Sequence, residues 1–366
     1  MADAADPLLD ATLLDATMGL LPALLAALDA LEQAARYLHP PNVPELAASL
    51  GPMAEPLAAG RAGFLSAPWP EHLRDFRDSI GEASVQTVAA LQGIADSAAE
   101  ANPVLGAYRA LGAAGRAIAA LYPVAFMLPP VNRFFITPAL RDDPQLLESL
   151  SGAAPSRADV GVLHADNTSD QRGGFSVYVP EYYDAAQAYP LVVALHGGSG
   201  HGQSFLWTWL RDARSRGAIL LSPSSQGSTW SLADPQIDAA SLDSMVQQVC
   251  QRWRVDDGRI LLTGMSDGGT FCYLSGLRDG GPFTHLAPIS ASFHPFLLEG
   301  CSGERLNGLP VYLVHGALDW MFPVDVARLA RDTLAAAGAA LTYREIADLS
   351  HTYPREENQH ILDWFL

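Results

Sequence analysis

Residues 259–271 read RILLTGMSDGGTF and contain the most informative motif of the sequence. An apolar run at 259–262 comes first, the pentad GMSDG at 264–268 follows it, and a stretch compatible with a helix comes last. A serine at a sharp turn from strand to helix, between glycines that spare the backbone a Cβ clash, is typical of a nucleophile elbow. Ser266 is therefore the candidate nucleophile, because a serine hydroxyl reacts only when such a turn presents it to a base.

Short apolar and β-branched runs recur on both sides of this stretch. The seven runs are FSVYV at 175–179, LVVAL at 191–195, AILL at 218–221, RILL at 259–262, LAPIS at 286–290, VYLV at 311–314 and LTYREI at 341–346. Between the third and fourth runs, apolar residues recur at three- and four-residue steps, namely Leu242, Met245, Val246, Val249 and Trp253. Strands that alternate with helices predict an α/β fold with a mostly parallel sheet covered on both faces.

The first 150 or so residues differ in composition from the rest of the chain. They are rich in Ala and Leu, contain few strand signals and are interrupted by Pro and Gly, which predicts several helices. Between Ser149 and Gly174 the composition shifts to Gly, Ser, Asp and Pro. We therefore expect a helical N-terminal domain over 1–154 and an α/β domain over 155–366.

A run of apolar residues at four- and three-residue steps lies near the N-terminus, at Leu14, Met18, Leu21, Leu25 and Leu28. Pro22 interrupts it, and a proline inside a helix removes a hydrogen bond and clashes with the preceding turn. We therefore predict two shorter helices, with Pro22 opening the second. The leucines are expected to pack in a helical core rather than to form a dimer zipper.

Composition and charge exclude several classes of function. All 22 basic residues are arginine, so a phosphate-binding P-loop, a pyridoxal Schiff base and a Ser-Lys dyad each lack their lysine. Forty acidic residues give a net charge of −18, which predicts no nucleic-acid partner. The three cysteines form no CxxC pair and the histidines no HExxH motif. We therefore expect no metal site and no cofactor.

The N-terminus and the apolar runs bear on location. The first residues, MADAADPLLDATLL, start acidic and lack a small-residue cleavage site, so we expect no secretory signal. The longest apolar run, Ala117–Pro130, is interrupted by prolines and is too short for a membrane span. An odd number of cysteines fits reducing surroundings. These observations predict a cytoplasmic protein without a membrane span.

An acid and a base follow the nucleophile in the order that an elbow of this kind requires. Asp319 lies in VYLVHGALDWMFPV, just after an apolar run, where the side chains of a parallel sheet meet the ligand crevice. His351 lies in IADLSHTYP, after the last strand run. These positions predict a catalytic set of Ser266, Asp319 and His351.

Three neighbours of this set are rival candidates. Asp325 is expected to begin a helix, where a carboxylate complements the helix dipole. Asp348 is expected in a turn. His360 falls in a predicted helix over 355–365, where a packed or solvated histidine is the ordinary expectation.

A glycine-rich stretch, LHGGSG at 195–200, ends the second strand run. Acyl transfer creates an oxyanion that backbone N–H groups must already face, and glycine lets the chain approach it closely. We assign the donors to the N–H groups of Gly198 and Asp267, the latter being the residue after the nucleophile. A phosphate-binding loop is the competing interpretation, but the chain contains neither GxGxxG nor lysine.

Together HGG, GMSDGG, HGALDWMFP and LSHTYP resemble the α/β-hydrolase superfamily, in particular its phospholipase/carboxylesterase-like and polyester-depolymerase-like esterases. The resemblance covers about residues 155–366, and the N-terminal region resembles no family known to us. It implies an α/β-hydrolase fold with the nucleophile at Ser266, the acid at Asp319, the base at His351 and oxyanion donors at Gly198 and Asp267. Ser199 stands where the lipase pattern HGGG has its third glycine.

The resemblance implies a serine ester hydrolase that acts through an acyl-enzyme on short-chain or aromatic esters. Alternatives are a serine peptidase or thioesterase of the same fold, and a non-catalytic binding or scaffold protein. Aromatic residues near the expected crevice are candidates for the substrate pocket, although packing between loops and helices explains them equally well: Trp207, Trp230, Trp320 and Phe322. The N-terminal helices are expected to form a cap, a homo-oligomer interface or a buttress.

Overall fold

The structure is a computed structural model that describes residues 7–153, 157–299 and 301–366. The chain divides into two units after Phe135. The predicted boundary at 154/155 lies outside the described residues, and residues 136–153 group with the second unit instead. One cause is Thr137, whose backbone N–H donates a 2.9 Å hydrogen bond to Ser215 Oγ within that second unit.

The first unit is helical, as predicted. Its helices are α1 Pro7–Arg36, α2 Val43–Leu50, α3 Ala54–Ser66, α4 Arg74–Ser97, α5 Pro103–Leu121 and α6 Pro129–Phe134. Asn102 and Pro103 show why a helix starts where it does. The Asn102 side chain accepts a hydrogen bond from the N–H of Leu105, and Pro103 occupies a position whose N–H has no helical partner.

The prediction of two helices around Pro22 is wrong, because α1 is one helix of 30 residues with Pro22 inside it. Leu20, Leu24 and Leu28 lie on both sides of the proline and are fully buried. Burying a leucine contributes about 1.5–3 kcal/mol, so three of them outweigh the roughly 3 kcal/mol cost of an internal proline. The leucines do pack in a core, but Leu14 and Met18 of the predicted run are 61% and 56% exposed.

Helix α1 also bears on the expectation that the chain has no membrane span. Residues Leu9–Arg36 are long and apolar enough to cross a membrane, judged by length and composition alone. A core helix of a helical unit has the same composition, and 39% of the most apolar window is buried inside the protein. The absence of a membrane span therefore stays a prediction.

The buried side of α1 yields a stability prediction. Leu24→Ala is expected to lower the free energy of unfolding by about 2–5 kcal/mol, because it leaves a cavity in the core. Leu14→Ala removes the same atoms from an exposed position and should change it by less than about 0.5 kcal/mol. Urea denaturation of both variants checks this prediction. Equal losses in the free energy of unfolding would contradict the burial of Leu24 and the exposure of Leu14 on α1.

The first α-helix of the second unit is α7, Pro144–Gly152, and the described residues of this unit form eight strands. The strands are β1 Gly161–Ala165, β2 Phe175–Val179, β3 Tyr189–Leu195, β4 Ile219–Pro223, β5 Val255–Met265, β6 His285–Ile289, β7 Pro310–Gly316 and β8 Ala340–Ile346. Helices α8 Gly202–Arg216, α9 Gln236–Arg252, α10 Asp267–Gly276, α11 Gly303–Leu306, α12 Val324–Ala336 and α13 Glu356–Phe365 alternate with them. All seven predicted runs are strands, whereas β1 was missed.

The strands form one sheet in the order β1-β2-β4-β3-β5-β6-β7-β8. Strand β2 pairs antiparallel with β1 and β4, and the other neighbouring pairs are parallel. After β4 the chain crosses to the other side of β3 to form β5, so the strand order reverses there. Ligands of open α/β sheets bind at such a switch point, outside the carboxyl ends of the strands. The predicted α/β-hydrolase fold is confirmed.

Helix α9 illustrates how the sheet is covered. Its predicted apolar face is buried, with Leu242, Met245, Val246 and Val249 each at most 5% exposed. These side chains belong to the same core cluster as Leu191 of β3 and Leu262 of β5. Packing between apolar residues of α9 and of the strands therefore stabilises the central strands, at whose carboxyl ends the switch point lies.

Candidate active site

Ser266 lies alone between β5, which ends at Met265, and α10, which begins at Asp267. Its backbone has φ 57° and ψ −121°, a conformation that L residues rarely adopt. The turn is tight, because a Cβ on Gly268 would lie 2.4 Å from the carbonyl oxygen of His196. The Ser266 N–H donates to the carbonyl of Ile289 at 3.0 Å and fixes the turn against β6.

The structure brings the three predicted catalytic residues together. His351 Nε2 lies 3.0 Å from Ser266 Oγ, and His351 Nδ1 lies 2.8 Å from Asp319 Oδ2. Asp319 follows β7 and His351 follows β8, so both come from carboxyl ends of neighbouring parallel strands. The side chain of Asp319 is fully buried and that of His351 is 5% exposed.

Asp319 is held as a carboxylate by its surroundings. Its Oδ1 accepts hydrogen bonds from the N–H groups of Met321 at 2.9 Å and Phe322 at 2.8 Å. Burial by itself raises the pKa of Asp319, but the hydrogen bond from His351 and the nearby backbone donors outweigh it. The net result is a pKa below the ordinary value of an aspartate.

These acceptors define the tautomer of His351. A carboxylate oxygen can only accept, so Nδ1 must carry the proton that faces Asp319. The neutral ring then has its lone pair at Nε2, where it accepts a hydrogen bond from the hydroxyl of Ser266. This arrangement can take a proton from the serine and stabilise the resulting imidazolium.

The rival residues have other surroundings. Asp325 lies in the first turn of α12, is 83% exposed and pairs with Arg328 at 2.9 Å. Asp348 lies in a turn after β8. His360 lies on α13, is 54% exposed and lies 3.3 Å from Glu357. The structure does not bring any of them into the group around Ser266.

The glycine-rich loop after β3 passes beside the nucleophile. A Cβ on Gly197 would lie 3.5 Å from Ser266 Cβ, and one on Gly198 would lie 2.7 Å from Asp267 Oδ2. Asp267 is the first residue of α10, where a backbone N–H has no partner within the helix. Within the described ranges, the N–H of Gly198 has no hydrogen-bond acceptor. Both predicted oxyanion donors therefore lie next to Ser266 with their N–H groups uncommitted.

Sequence reasoning missed the loop after β4, residues 224–230, which fixes the glycine-rich loop. The N–H of Ser225 donates to His196 Nε2 at 3.1 Å, and Trp230 Nε1 donates to the carbonyl of His196 at 2.8 Å. His196 Nδ1 lies 2.7 Å from the carbonyl of Gly197, so it carries the proton. The His196 ring is thus held in one neutral tautomer.

Two more hydrogen bonds tie the same loop to the site. The N–H of Ser199 donates to the carbonyl of Ser228 at 3.0 Å, and Thr229 Oγ1 donates to Asp267 Oδ2 at 2.5 Å. Thr229 therefore links the residue after the nucleophile to the loop that carries Gly198. The signal available in the sequence was the polar stretch SSQGSTW directly after a strand run, at the edge where ligands bind.

The predicted pocket aromatics separate into two groups. The ring centroids of Trp320 and Phe322 lie 6.4 Å and 5.3 Å from that of His351, and Trp320 is 42% exposed. Trp230 is buried beneath the glycine-rich loop and stacks on Phe271 at 5.0 Å. Trp207 is buried on α8. Only Trp320 and Phe322 are placed beside His351.

The described residues contain no group of three or more His, Cys, Asp or Glu that could hold a metal ion. Cys250, Cys272 and Cys301 are free thiols. Burial raises the pKa of all three, which keeps them in the unreactive protonated form.

The sheet order and the elbow at Ser266 are typical of the α/β-hydrolase fold, and the chain is similar to curated esterases. A probable feruloyl esterase C of Aspergillus niger is 26% identical over 159 residues, which are 41% of this chain and 56% of that protein. Feruloyl esterase C of Emericella nidulans is 28% identical over 155 residues, 40% of this chain and 55% of that protein. The predicted resemblance to α/β-hydrolase esterases is confirmed.

These similarities are partial. The match spans little more than half the length of the two fungal proteins. The crystal structure of a thermostable esterase is 21% identical, with a TM-score of 0.46, and the match covers 57% of this chain and 62% of that chain. No family model matches the chain.

The buried His196 yields a prediction about acid stability. Burial lowers its pKa to about 4 from an ordinary value of 6.5, because a second proton at Nε2 would face the N–H of Ser225. The unfolded chain binds this proton below pH 6.5 and the folded protein does not. The contribution of His196 to the free energy of unfolding is therefore fully present above pH 6.5. It is lost as pH falls toward 4, and the loss is about 2 kcal/mol at pH 5.

Denaturant unfolding at pH 7.5 and pH 5 checks this prediction. For each protein, the quantity to compare is the decrease in the free energy of unfolding from pH 7.5 to pH 5. His196→Asn lacks the titrating group, so this decrease should be about 2 kcal/mol smaller in the variant than in the wild type. His360→Asn changes an exposed histidine of the same unit and should keep the wild-type difference. An unchanged difference in His196→Asn would contradict the assignment.

Proposed function

We propose that the protein is a serine carboxylic-ester hydrolase that works through an acyl-enzyme. The observation that supports this most directly is the hydrogen-bonded series from Ser266 Oγ through His351 to Asp319, with separations of 3.0 and 2.8 Å. It lies at the carboxyl ends of the parallel strands, where α/β proteins bind ligands. The curated relatives named feruloyl esterases support an ester as substrate.

The reaction proceeds in two steps. His351 Nε2 takes the hydroxyl proton of Ser266 as Oγ bonds to the ester carbonyl carbon, and the tetrahedral intermediate then expels the alcohol, which receives that proton. Water next loses a proton to His351 and attacks the acyl-enzyme, which releases the acid and restores the serine hydroxyl. Asp319 stays ionised throughout and stabilises each imidazolium, in keeping with its lowered pKa.

The negative charge of each tetrahedral intermediate is taken up by backbone donors. We assign the N–H groups of Gly198 and Asp267 to this role, because both residues lie beside Ser266 with uncommitted N–H groups. One such donor is worth about 10²–10³ in kcat in serine hydrolases. The loop at 224–230 keeps the two donors in register through Thr229 and Ser228.

The proposed substrates are aromatic or short apolar esters. Trp320 and Phe322 place apolar rings beside His351, and the relatives' name refers to an aromatic acyl group. A thioesterase or peptidase would use the same machinery, so a panel of esters, thioesters and peptides discriminates these alternatives. A non-catalytic scaffold has no need of the His351 tautomer that the structure maintains. A cytoplasmic location and a cap or oligomer role for the N-terminal helices remain proposals.

The nucleophile is tested by Ser266→Ala. Turnover of p-nitrophenyl acetate should fall by at least about 10⁴-fold, and labelling by a fluorophosphonate probe should disappear, because the alkoxide can no longer form. Ser275→Ala alters a buried serine of α10, the helix that follows the elbow, and should retain both properties. Circular dichroism shows whether each variant is folded. Turnover near the wild-type value in folded Ser266→Ala would exclude the proposal.

Trp320→Ala tests the aromatic preference. We expect kcat/KM for methyl ferulate to fall about tenfold, because the substitution removes the exposed ring beside His351 that would contact the aromatic substrate. The value for ethyl acetate should change by less than about twofold, since that ester is too small to lie against the ring. Leu329→Ala removes a side chain of similar exposure from α12 and is the control. Equal losses on both esters in Trp320→Ala would contradict this role.

A further inference from the structure

His315 is a buried histidine that the reaction described above does not use. It is the last residue but one of β7, and alternation along the strand places it on the same side as the core residues Val311 and Leu313. Its side chain is fully buried. A residue such as leucine would satisfy this position by packing alone, so the imidazole calls for a specific reason.

The contacts of His315 all lead to the acid of the site. Its Nε2 lies 2.9 Å from the carbonyl oxygen of Phe322 and 3.5 Å from Asp319 Oδ2. A carbonyl can only accept, so Nε2 carries the proton. The N–H of Phe322 donates in turn to Asp319 Oδ1. Both backbone groups of Phe322 are therefore hydrogen-bonded: its carbonyl accepts from His315 and its N–H donates to Asp319. These two bonds fix the turn from Asp319 to Phe322.

The other ring nitrogen shows that His315 is not placed for stability. Among the described residues, Nδ1 of His315 has no hydrogen-bond partner although it is buried. A buried polar atom without a partner has a cost in stability, because its hydrogen bonds to water are lost and not replaced. An apolar residue would avoid this cost, so the benefit of the imidazole must lie in what Nε2 does.

We infer that His315 is a positioning residue for the proposed triad: its Nε2–H binds the Phe322 carbonyl and faces Asp319 Oδ2, and so orients the carboxylate toward His351. This inference rests on the proposed function, because it assigns no activity of its own. Asp319 has Oδ1 fixed by two backbone donors and Oδ2 bound by His351, with Nε2 of His315 3.5 Å from Oδ2. The carboxylate plane can then rotate little, which keeps Oδ2 aligned with His351 Nδ1.

His315 acts in this role as a neutral ring. The charged and titratable groups that face it are Asp319 and His351 from the loops after β7 and β8, and Glu345 on the neighbouring strand β8. Burial lowers its pKa, and the Phe322 carbonyl and Asp319 oppose this only in part. A single proton at Nε2 is therefore maintained while His351 gains and loses its own.

Two substitutions separate positioning from packing. His315→Gln retains an amide donor near the Nε2 position, whereas His315→Leu fills the space without a donor. On p-nitrophenyl acetate, His315→Leu should lower kcat about 10- to 100-fold with KM unchanged, since small misplacements of catalytic groups cost this much. His315→Gln should remain within about threefold of the wild type. The urea midpoint of His315→Leu should stay close to that of the wild type, because the substitution removes the unpartnered Nδ1 but leaves the Phe322 carbonyl without its donor.

The pH profile of kcat/KM gives a readout that packing would not affect. In His315→Leu the acid limb should move to lower pH, because an imidazolium at His351 loses part of its fixed counter-ion. His285→Leu, which alters a partly buried histidine at the start of β6, should change neither kcat nor the limb. If His315→Leu retains wild-type kcat and acid limb, the positioning role is excluded. Activity retained by folded Ser266→Ala would overturn the proposed function, on which this inference rests.

Discussion

The parallel direction of β3, β5, β7 and β8 is the constraint on which the site depends. Each of these strands ends at the same edge of the sheet, and each is followed by one part of the site: the glycine-rich loop, Ser266, Asp319 and His351. Side chains that are 32 and 85 residues apart in sequence thereby come within hydrogen-bond distance. The buried apolar residues of the strands and of α9 stabilise this alignment. The polar groups of the site come together because burial of these apolar residues stabilises the strands that carry them.

Burial also determines which groups near the site carry charge. Asp319 remains ionised because three hydrogen bonds compensate its desolvation, whereas His196 and His315 have lowered pKa values and remain neutral. The neutral rings donate from one defined nitrogen each, to the carbonyls of Gly197 and Phe322. Backbone groups around Ser266 and Asp319 are thus held by histidines that do not exchange protons near neutral pH. This leaves His351 as the imidazole that contacts both the serine and the acid.

Much of the α/β unit could be predicted from the sequence because its signals are local. An apolar run of four or five residues is enough to indicate a buried strand, and an elbow is defined by five consecutive residues around Ser266. Strand β1 was missed because its residues are mostly half-exposed and its pairing with β2 is set by the intervening turn. The continuity of α1 through Pro22 depends on burial of Leu20 and Leu24 by other helices, which no local pattern reveals. Thr229 and His315 were missed for the same reason, since their partners are distant in sequence.

We propose that Ser266 forms a covalent acyl intermediate during turnover, and mass spectrometry can detect this intermediate when it is trapped. The protein would be mixed with a slowly hydrolysed aryl ester, quenched in acid within the first turnovers and digested. We expect an added acyl mass on the peptide that contains Ser266, at a yield that approaches one per chain. An acyl group on another residue, or turnover that proceeds with no covalent species, would contradict it.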